Sequence, residues 1–161
     1  MGKTRFEKLH SNSLWQADFK QTDEDNYMIT FIDDHSRFVL GSQINETMTT
    51  EDALRLLSKC ITKFHNPVQI LTDRGAQFWN NRSKELTEFT QFCNDKEIHH
   101  IVASVRKPTT TGKIERWRKT YDEEHNRFST HNKFVKYYNY KRPHQSFGYK
   151  VPAEIYFKDQ V

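Results

Sequence analysis

Three acidic side chains occupy positions from which carboxylates can do chemistry: Asp18, Asp73 and Glu115. Asp18 lies in the middle of a strand-like segment, where an ionised carboxylate is costly unless it is paired or bound to a metal ion. Asp73 ends a short apolar run and opens a turn, and ligands gather at such strand ends in α/β sheets. Glu115 lies in the first turn of an amphipathic segment. Convergence of the three carboxylates would form an all-oxygen site suited to Mg²⁺ or Mn²⁺.

Two such ions about 3.5–4 Å apart can hold the attacking and leaving oxygens of a phosphoryl transfer. The pattern leaves a structural interpretation open for two of the acids. Asp73 is a common turn residue in Asp-Arg-Gly, and Glu115 is an ordinary acid of a helix N-terminus, where the macrodipole favours negative charge. Asp18 is the hardest to explain in this way, because its segment is otherwise rich in apolar residues.

Other acids and histidines favour structural roles. Asp33 and Asp34 lie in a turn-like cluster between two strand-like segments, and we interpret them as turn and hydrogen-bonding residues. The eight histidines show no metal-ligand spacing. His99 and His100 are adjacent in a strand-like segment, so their side chains must point apart.

The hydrophobic patterns predict a mixed five-stranded sheet with helices on both faces, an α/β architecture in a single domain over residues 1–161. Three β-rich segments with short polar connections indicate an antiparallel meander. Two more strands follow, each after a helix, and for the strand over 68–72 this favours pairing parallel to an earlier strand. The predicted strands are 14–20, 27–32, 37–44, 68–72 and 97–102. The predicted helices are 49–64, which Thr49 and Asp52 would cap, 83–93, 114–128, 130–140 and a short helix from Pro152.

The composition is typical of one folded domain. The chain has 161 residues, of which 14% are aromatic, and it contains no run of about 18 apolar residues such as a membrane span needs. Two cysteines, Cys60 and Cys93, are too few for a disulfide framework or a four-thiolate zinc site. Both lie in helical apolar patterns, and we expect them to be buried in a protein of the reducing cytoplasm.

Basic residues are concentrated in the second half of the chain. Residues 1–80 carry 9 Lys and Arg against 11 Asp and Glu, whereas residues 81–161 carry 16 against 10. Such asymmetry indicates a polyanion-binding surface beside a carboxylate cluster. The interleaved Tyr137, Tyr138 and Tyr140 either stack on bases or pack in the core. We expect at least two of them to pack, because they share a helix face with Phe134.

Five motifs occur in a fixed order, with Leu71-Thr-Asp-Arg-Gly-Ala-Gln-Phe78 and Gly112-Lys-Ile-Glu-Arg-Trp117 at the centre. The full set covers residues 6–19, 32–37, 71–78, 112–117 and 138–147, followed by 152–156. Together they resemble the catalytic domain of insertion-sequence transposases in the retroviral-integrase superfamily. Each motif alone is weak, but the set is specific and spans nearly the whole chain.

The resemblance implies an RNase H-like fold and the acidic DDE triad of that superfamily, carried over as Asp18, Asp73 and Glu115. It implies a site for two Mg²⁺ or Mn²⁺ ions that cuts a DNA strand and joins the 3′-hydroxyl end to target DNA. One departure concerns Glu115, which lies 42 positions after Asp73, more than is usual in the family. A longer second helix or a longer loop over 106–112 would accommodate the difference. Glu123 and Glu124 lack the motif around Glu115 and are poorer candidates.

DNA is therefore the expected partner, both as element ends and as target, and self-association to a dimer or higher is expected in the active complex. The resemblance further implies an N-terminal end-recognition region; little precedes Phe6, so we expect this sequence to be a fragment of a cytoplasmic, nucleoid-associated protein. Phosphate neutralisation provides affinity without sequence choice. The residues expected to contact the DNA backbone are Lys107, Lys113, Arg116, Lys119, Lys141 and Arg142.

Two alternatives remain open at this point. A nuclease with the same fold would hydrolyse DNA or RNA without joining strands. A catalytically inactive DNA-binding or assembly module would bind DNA in a salt-dependent way and would show no metal-dependent nicking.

Overall fold

The computed structural model describes residues 10–22, 24–103 and 112–158. Within these ranges the chain forms five strands and five α-helices, in the predicted order. They are β1 (Leu14–Gln21), β2 (Tyr27–Asp33), β3 (Val39–Asn45), α1 (Thr50–Phe64), β4 (Gln69–Thr72), α2 (Glu88–Asp95), β5 (His99–Val102), α3 (Gly112–Glu124), α4 (His131–Tyr140) and α5 (Pro152–Lys158).

The strands form one sheet in the order β3-β2-β1-β4-β5. The first three strands pair antiparallel, and β4 pairs parallel to both β1 and β5. This confirms the predicted meander and the predicted parallel pairing of the fourth strand, and it places β1 at the centre of the sheet.

Side chains of β1 alternate between the two faces of the sheet, as predicted. Trp15 and Ala17 join a core with residues of α1, α2 and α5, whereas Gln16 contacts α3 on the other face. A second core on that face includes Ile32 of β2, Trp117 of α3 and residues of α4. Burial of apolar side chains on both faces stabilises the sheet between two helical layers.

Local signals set the start of α1 and its distance from the sheet. The side chains of Thr49 and Asp52 form the predicted capping box. Gly41 of β3 lies beneath the helix, where a Cβ atom would approach the Cys60 sulfur to 2.6 Å. Cys60 and Cys93 are buried and free, as expected.

Two helix boundaries differ from the prediction. Residues 83–87 are not helical, because the Thr87 side chain accepts a hydrogen bond from the Thr90 N–H and starts α2 at Glu88. Leu86, which resembled part of the apolar helix face, is 52% exposed. Helix α3 ends at Glu124 and a 3₁₀ turn follows over His125–Arg127.

Aromatic packing explains the early end of α3. The chain turns so that the ring of Phe128 packs on Phe134 and Tyr137 of α4, at centroid distances of 5.7 and 4.9 Å. Tyr138 packs on Trp117 at 4.7 Å. The expectation that at least two of the three tyrosines pack is therefore confirmed, whereas Tyr140 is half exposed. In the described part of the chain, no helix combines the length and apolar character that crossing a membrane would take.

Candidate active site

Parallel pairing of β1 with β4 brings Asp18 and Asp73 together. The register places Gln16 opposite Leu71. If this register is continued for two residues along both strands, Asp18 lies opposite Asp73, which directly follows β4. Residues two apart on a strand share a face, and the two carboxyl groups interact directly, since Asp73 raises the pKa of Asp18 through its charge and a hydrogen bond.

Asp18 is largely buried, with 11% of its side chain exposed. Its Oδ2 atom lies 3.0 Å from Nη1 of Arg118 on α3. Burial raises the pKa of Asp18 to about 7; the Arg118 guanidinium acts against this shift, and Asp73 adds to it. The Arg118 charge therefore stabilises the ionised form of Asp18 only in part.

The turn after β4 orients the exposed Asp73 side chain. Its Oδ1 accepts a hydrogen bond of 2.8 Å from the backbone N–H of Gly75. A Cβ atom at position 75 would lie 3.0 Å from this oxygen and 2.7 Å from Oε1 of Gln77. Glycine at this position therefore leaves the space in which the Asp73 carboxylate lies.

Three polar contacts keep α3 aligned with β1. Four residues of a helix rise about 6 Å, and two residues of a strand rise about 6.8 Å. Because these distances are similar, every fourth residue of α3 can contact every second residue of β1. The contacts are Gln16 with the N–H of Ile114 (3.3 Å), Asp18 with Arg118 (3.0 Å) and Lys20 with Asp122 (3.1 Å). The polar face of β1 thus holds α3, and with it Glu115, beside the acidic pair.

Glu115 lies one turn before Arg118 and Lys119 on α3. It is exposed and lines a shallow pocket together with these two residues, Lys20 and Asp122. Among the described residues, no group of three acidic, histidine or cysteine side chains is placed to hold a metal ion. The structure therefore brings Asp18 and Asp73 together. Glu115 lies in a pocket that Arg118 lines and that Asp18 does not.

The chemistry of the Asp18–Asp73 pair fits a hard divalent cation. Both residues offer carboxylate oxygens, which Mg²⁺ and Mn²⁺ prefer. The negative charge of Asp73 raises the pKa of Asp18. A bound cation would therefore stabilise the ionised form of Asp18. Cys60 and Cys93 supply no thiolate here, because burial raises the pKa of each thiol to about 12.

Asp33 serves the hairpin between β2 and β3. It is fully buried. Its carboxylate accepts hydrogen bonds from the Asn12 N–H (2.8 Å), the Ser36 N–H (2.9 Å) and the Ser36 hydroxyl (2.6 Å). These bonds confirm the interpretation of Asp33 as a turn and hydrogen-bonding residue.

Asp34 links the hairpin to the start of α3. Its Oδ1 accepts from Gln16 Nε2 at 2.8 Å, and its Oδ2 lies 2.9 Å from Lys113 Nζ. Asp34 is fully buried and Lys113 is 11% exposed. Lys113, which the sequence analysis expects at the DNA backbone, is thus placed in a buried ion pair that anchors the first turn of α3.

The other basic residues expected at DNA lie at or near the surface. Lys119 is 77% exposed, and Arg116 and Lys141 are also exposed. Arg142 is half-buried, with Nε 2.7 Å from a carboxylate oxygen at the end of α3. Lys107 lies outside the described residues.

Arg118 was not predicted as the partner of Asp18. Its spacing fits the contact only once Ile114 is known to lie beside Gln16, since Arg118 lies four residues after Ile114 and Asp18 two residues after Gln16. Which residue of α3 faces which residue of β1 depends on the docking of the helix, and the chain pattern alone does not contain it.

His100 was also missed. Its Nε2 lies 2.8 Å from the Thr72 hydroxyl and its Nδ1 lies 2.8 Å from the Thr90 hydroxyl. The Thr72 hydroxyl donates to the Asp73 carbonyl oxygen, so we assign the proton of the neutral ring to Nε2. Burial lowers the pKa of His100 to about 4, which keeps the ring neutral. His100 thus supports the backbone that carries Asp73.

Comparison with known sequences identifies related proteins. The family described as Integrase core domain matches residues 8–108. A protein of Spiroplasma virus SpV1-C74 named "Putative integrase ORF3" is 35% identical over 151 residues, covering 81% of this chain and 41% of that protein. The Gag-Pro-Pol polyprotein of Human T-cell leukemia virus 3 (strain 2026ND) is 30% identical over 108 residues, covering 65% of this chain and 7% of the polyprotein. The chain thus spans less than half the length of either relative.

Solved structures share the fold. The HTLV-2 integrase catalytic core domain in complex with magnesium superposes with a TM-score of 0.72 at 19% identity, covering 92% of this chain and 98% of that chain. The catalytic core domain of BIV integrase gives a TM-score of 0.73 at 18% identity, with coverages of 92% and 96%. A chain of the simian T-cell lymphotropic virus intasome in complex with PP2A regulatory subunit B56 gamma gives 0.72 at 20%, with coverages of 93% and 56%. The predicted RNase H-like fold is confirmed.

Proposed function

Because the chain belongs to the integrase core domain family, within the polynucleotidyl-transferase superfamily, we propose that it is the catalytic domain of a DDE transposase or integrase. In the first step, water attacks a phosphodiester, and the P–O3′ bond breaks to leave a 3′-hydroxyl and a 5′-phosphate. In the second step, that 3′-hydroxyl attacks a target phosphodiester, forming a new P–O3′ bond and releasing a target 3′-hydroxyl. Both steps are in-line displacements without a covalent enzyme intermediate.

The observation that carries this proposal is the pairing of Asp18 with Asp73 beside the carboxyl end of β4. Ligands of open α/β sheets gather at this edge. A structural ion pair would balance its charges, whereas here the charge of one carboxylate adds to the raised pKa of the other. Perturbed carboxylates of this kind are typical of functional sites.

In the proposed site, Asp18, Asp73 and Glu115 would hold two Mg²⁺ or Mn²⁺ ions. The bound ions would stabilise the charge of the attacking and leaving oxygens. Before metal binds, Arg118 holds the Asp18 side chain in place through its 3.0 Å contact and neutralises part of the negative charge of the acidic pair. Glu115 lies on the same flank of α3 as Arg118, and both residues line one pocket.

The DNA backbone would lie along the exposed flank of α3. Lys119 supports this placement, since it lines the pocket of Glu115 and is mostly exposed. Arg116, Lys141 and Arg142 extend the basic surface, and the proposal retains Lys107. We assign Lys113 a role in anchoring the start of α3, because its Nζ is paired with Asp34.

Several finer features are also proposals. The set of five motifs resembles that of insertion-sequence transposases, and we propose this narrower identity within the family. DNA ends and target DNA would be the substrates, and the active complex would be a dimer or higher oligomer acting on nucleoid DNA in the cytoplasm. The neighbouring structures support assembly, since they are described as a dimeric form, a trimeric form and an intasome.

The test is a strand-cleavage and strand-joining assay on labelled duplex DNA with Mg²⁺ or Mn²⁺. We expect the wild-type domain to nick and to join, and Glu115→Gln to abolish both. Glu123→Gln is the matched control: it makes the same change eight residues further along α3, about 12 Å up the axis, and should be near neutral.

The outcomes separate the alternatives. Nicking without joining would identify a nuclease with this fold. Salt-dependent DNA binding without metal-dependent nicking would identify an inactive module. A Glu115→Gln domain that nicks and joins at the wild-type rate would remove Glu115 from the site.

A further inference from the structure

A second concave site lies on the opposite flank of α3 from Asp18. Arg116 lines this pocket, and Arg118 contacts Asp18; residues two apart on a helix point about 200° apart. The pocket has a volume of about 720 Å³. Its lining comes from the β2–β3 turn, from α3 and from the segment after α4, and consists of Arg37, Arg116, Arg142, Pro143, His144, Gln145, Ser146 and Tyr149.

The side chains that line the pocket carry positive charge. Three arginines line it, and no carboxylate is among the described lining residues. The Glu124 carboxylate lies 2.7 Å from Arg142 Nε and holds that side chain at the pocket rim. Arginine pairs well with the oxygens of phosphate groups, because its planar guanidinium offers several donors at once.

His144 provides an independent sign of a ligand. It is 8% exposed and lines the pocket, yet its Nε2 atom has no hydrogen-bond partner among the described residues. A buried polar atom without a partner is costly, so such atoms are normally satisfied by protein, water or ligand. Burial, with Arg142 and Arg37 nearby, lowers the pKa of His144 to about 4. The neutral ring can therefore donate one N–H into a strongly positive environment.

Arg37 is built into the pocket wall. It is 7% exposed, its side chain donates to the Ser146 hydroxyl, and its guanidinium lies 4.9 Å from the centroid of the Phe147 ring. Its backbone adopts a φ of 63°, a left-handed conformation that is unfavourable for a long side chain and that persists where the surroundings enforce it. The pocket thus contains a preorganised cation rather than a mobile surface side chain.

We propose that this pocket binds a phosphate group, held by the guanidinium groups of Arg37, Arg116 and Arg142, with the His144 ring in the pocket wall. Phosphate matches the lining in charge and in its number of acceptor oxygens. The group can belong to a DNA backbone, which rests on the proposed function, or to a free phosphorylated compound. In the first case the pocket is a second anchor for DNA, separated by α3 from the acidic pair.

The test follows the His144 ring by NMR in histidine-labelled domain during titration with inorganic phosphate, at an ionic strength held constant with chloride. We expect saturable shifts of the His144 ring signals. Arg116→Gln should weaken the apparent affinity about tenfold, as expected when roughly one charge-assisted hydrogen bond is removed. Arg116 is exposed, so this change should leave the fold intact. Lys59→Gln, which removes the same charge from exposed Lys59 of α1, should leave the affinity unchanged.

A second titration uses a 20-base-pair duplex of arbitrary sequence. The same shifts at concentrations at least a hundredfold lower would assign the phosphate to a DNA backbone. Shifts with inorganic phosphate and none with the duplex would assign it to a free phosphorylated compound. Absence of saturable shifts in both titrations, or an affinity that Arg116→Gln leaves unchanged, would overturn the proposal. The nicking assay is separate, so a domain that binds phosphate but cuts no DNA would contradict the proposed function alone.

Discussion

Two pairs of aspartates on the same sheet have opposite surroundings. Asp33 and Asp34, at the end of β2, are fully buried and receive hydrogen bonds from backbone and side-chain donors and an ion pair from Lys113. Asp18 and Asp73, on β1 and after β4, interact with each other, with Arg118 contacting Asp18. The protein satisfies the hairpin pair with its own donors, whereas the central pair retains a need for positive charge.

The contrast shows that burial alone does not distinguish a functional carboxylate. Burial raises the pKa of both Asp18 and Asp33. At Asp33, hydrogen bonds from Asn12 and Ser36 act against the shift, whereas at Asp18 the neighbouring Asp73 acts with it. A buried carboxylate whose neighbour increases its electrostatic cost, despite the Arg118 contact, is the better candidate for binding a further cation.

The largest expected effect separates the two pairs by function. Asp18→Asn should lower DNA nicking by at least about a hundredfold, because it removes a proposed metal ligand while the packing is kept. Asp33→Ala should instead lower stability. It removes three hydrogen bonds and should reduce the free energy of unfolding by about 3 kcal/mol. Nicking assays and urea unfolding of both variants check this. If both variants lost activity and stability to the same extent, the distinction between a functional and a structural pair would be contradicted.

Asp34→Asn tests the structural role of the hairpin pair directly. The change leaves the nearly buried Lys113 ammonium without its anionic partner, which should lower the free energy of unfolding by about 3 kcal/mol. Glu85→Gln makes the same type of change at an exposed acid and should alter stability by less than about 0.5 kcal/mol. An Asp34→Asn domain as stable as wild type would contradict the anchoring role of the Lys113–Asp34 ion pair.

The central pair predicts a pH dependence of stability without metal. Asp18 binds its proton more tightly in the folded state, where its pKa is about 7 instead of 3.8. The wild-type domain should therefore lose stability, on the order of 3 kcal/mol, as the pH rises from 4 to 7. Asp18→Asn should lack this loss. The measurement is the urea midpoint of unfolding as a function of pH for both proteins. The same pH dependence in both would contradict the raised pKa of Asp18.

The smallest expected effect concerns DNA binding beside the central pair. Lys119→Glu should reduce the slope of log affinity against log salt by about one for each phosphate group that the variant no longer neutralises. Lys59→Glu reverses the same charge on α1, across the sheet, and should leave the slope unchanged. Fluorescence anisotropy with duplex DNA measures both slopes. Equal slopes for the two variants would place the DNA away from the Glu115 pocket.

Sequence patterns were sufficient for the order of elements and for the face of Asp18. The alternation around Asp18 has the two-residue period of a strand, and the spacing of apolar residues in the helices has the helical period. The boundary of α2 was predicted wrongly, because Leu86 extends the apolar spacing although the Thr87 side chain caps the helix one residue later. A capping hydrogen bond overrides a weak periodic signal.

Long-range contacts explain what the pattern did not reveal at the site. The pairing of Asp18 with Asp73 depends on the register of β1 against β4, and the contact of Arg118 with Asp18 depends on how α3 docks. Lys113 has a basic side chain in a basic segment, and its partner Asp34 lies 79 positions earlier in the chain. Side-chain types identified the candidate residues, and tertiary packing decides which of them meet.

The most direct test of the central claim is a crystal structure of the domain with Mn²⁺, with the ions located by anomalous scattering. The account predicts Mn²⁺ within about 2.0–2.3 Å of carboxylate oxygens of both Asp18 and Asp73, with Arg118 released from Asp18 and Glu115 as the third ligand. Crystals of a DNA-nicking domain in which Mn²⁺ binds elsewhere, and the Asp18–Arg118 pair stays intact, would contradict it.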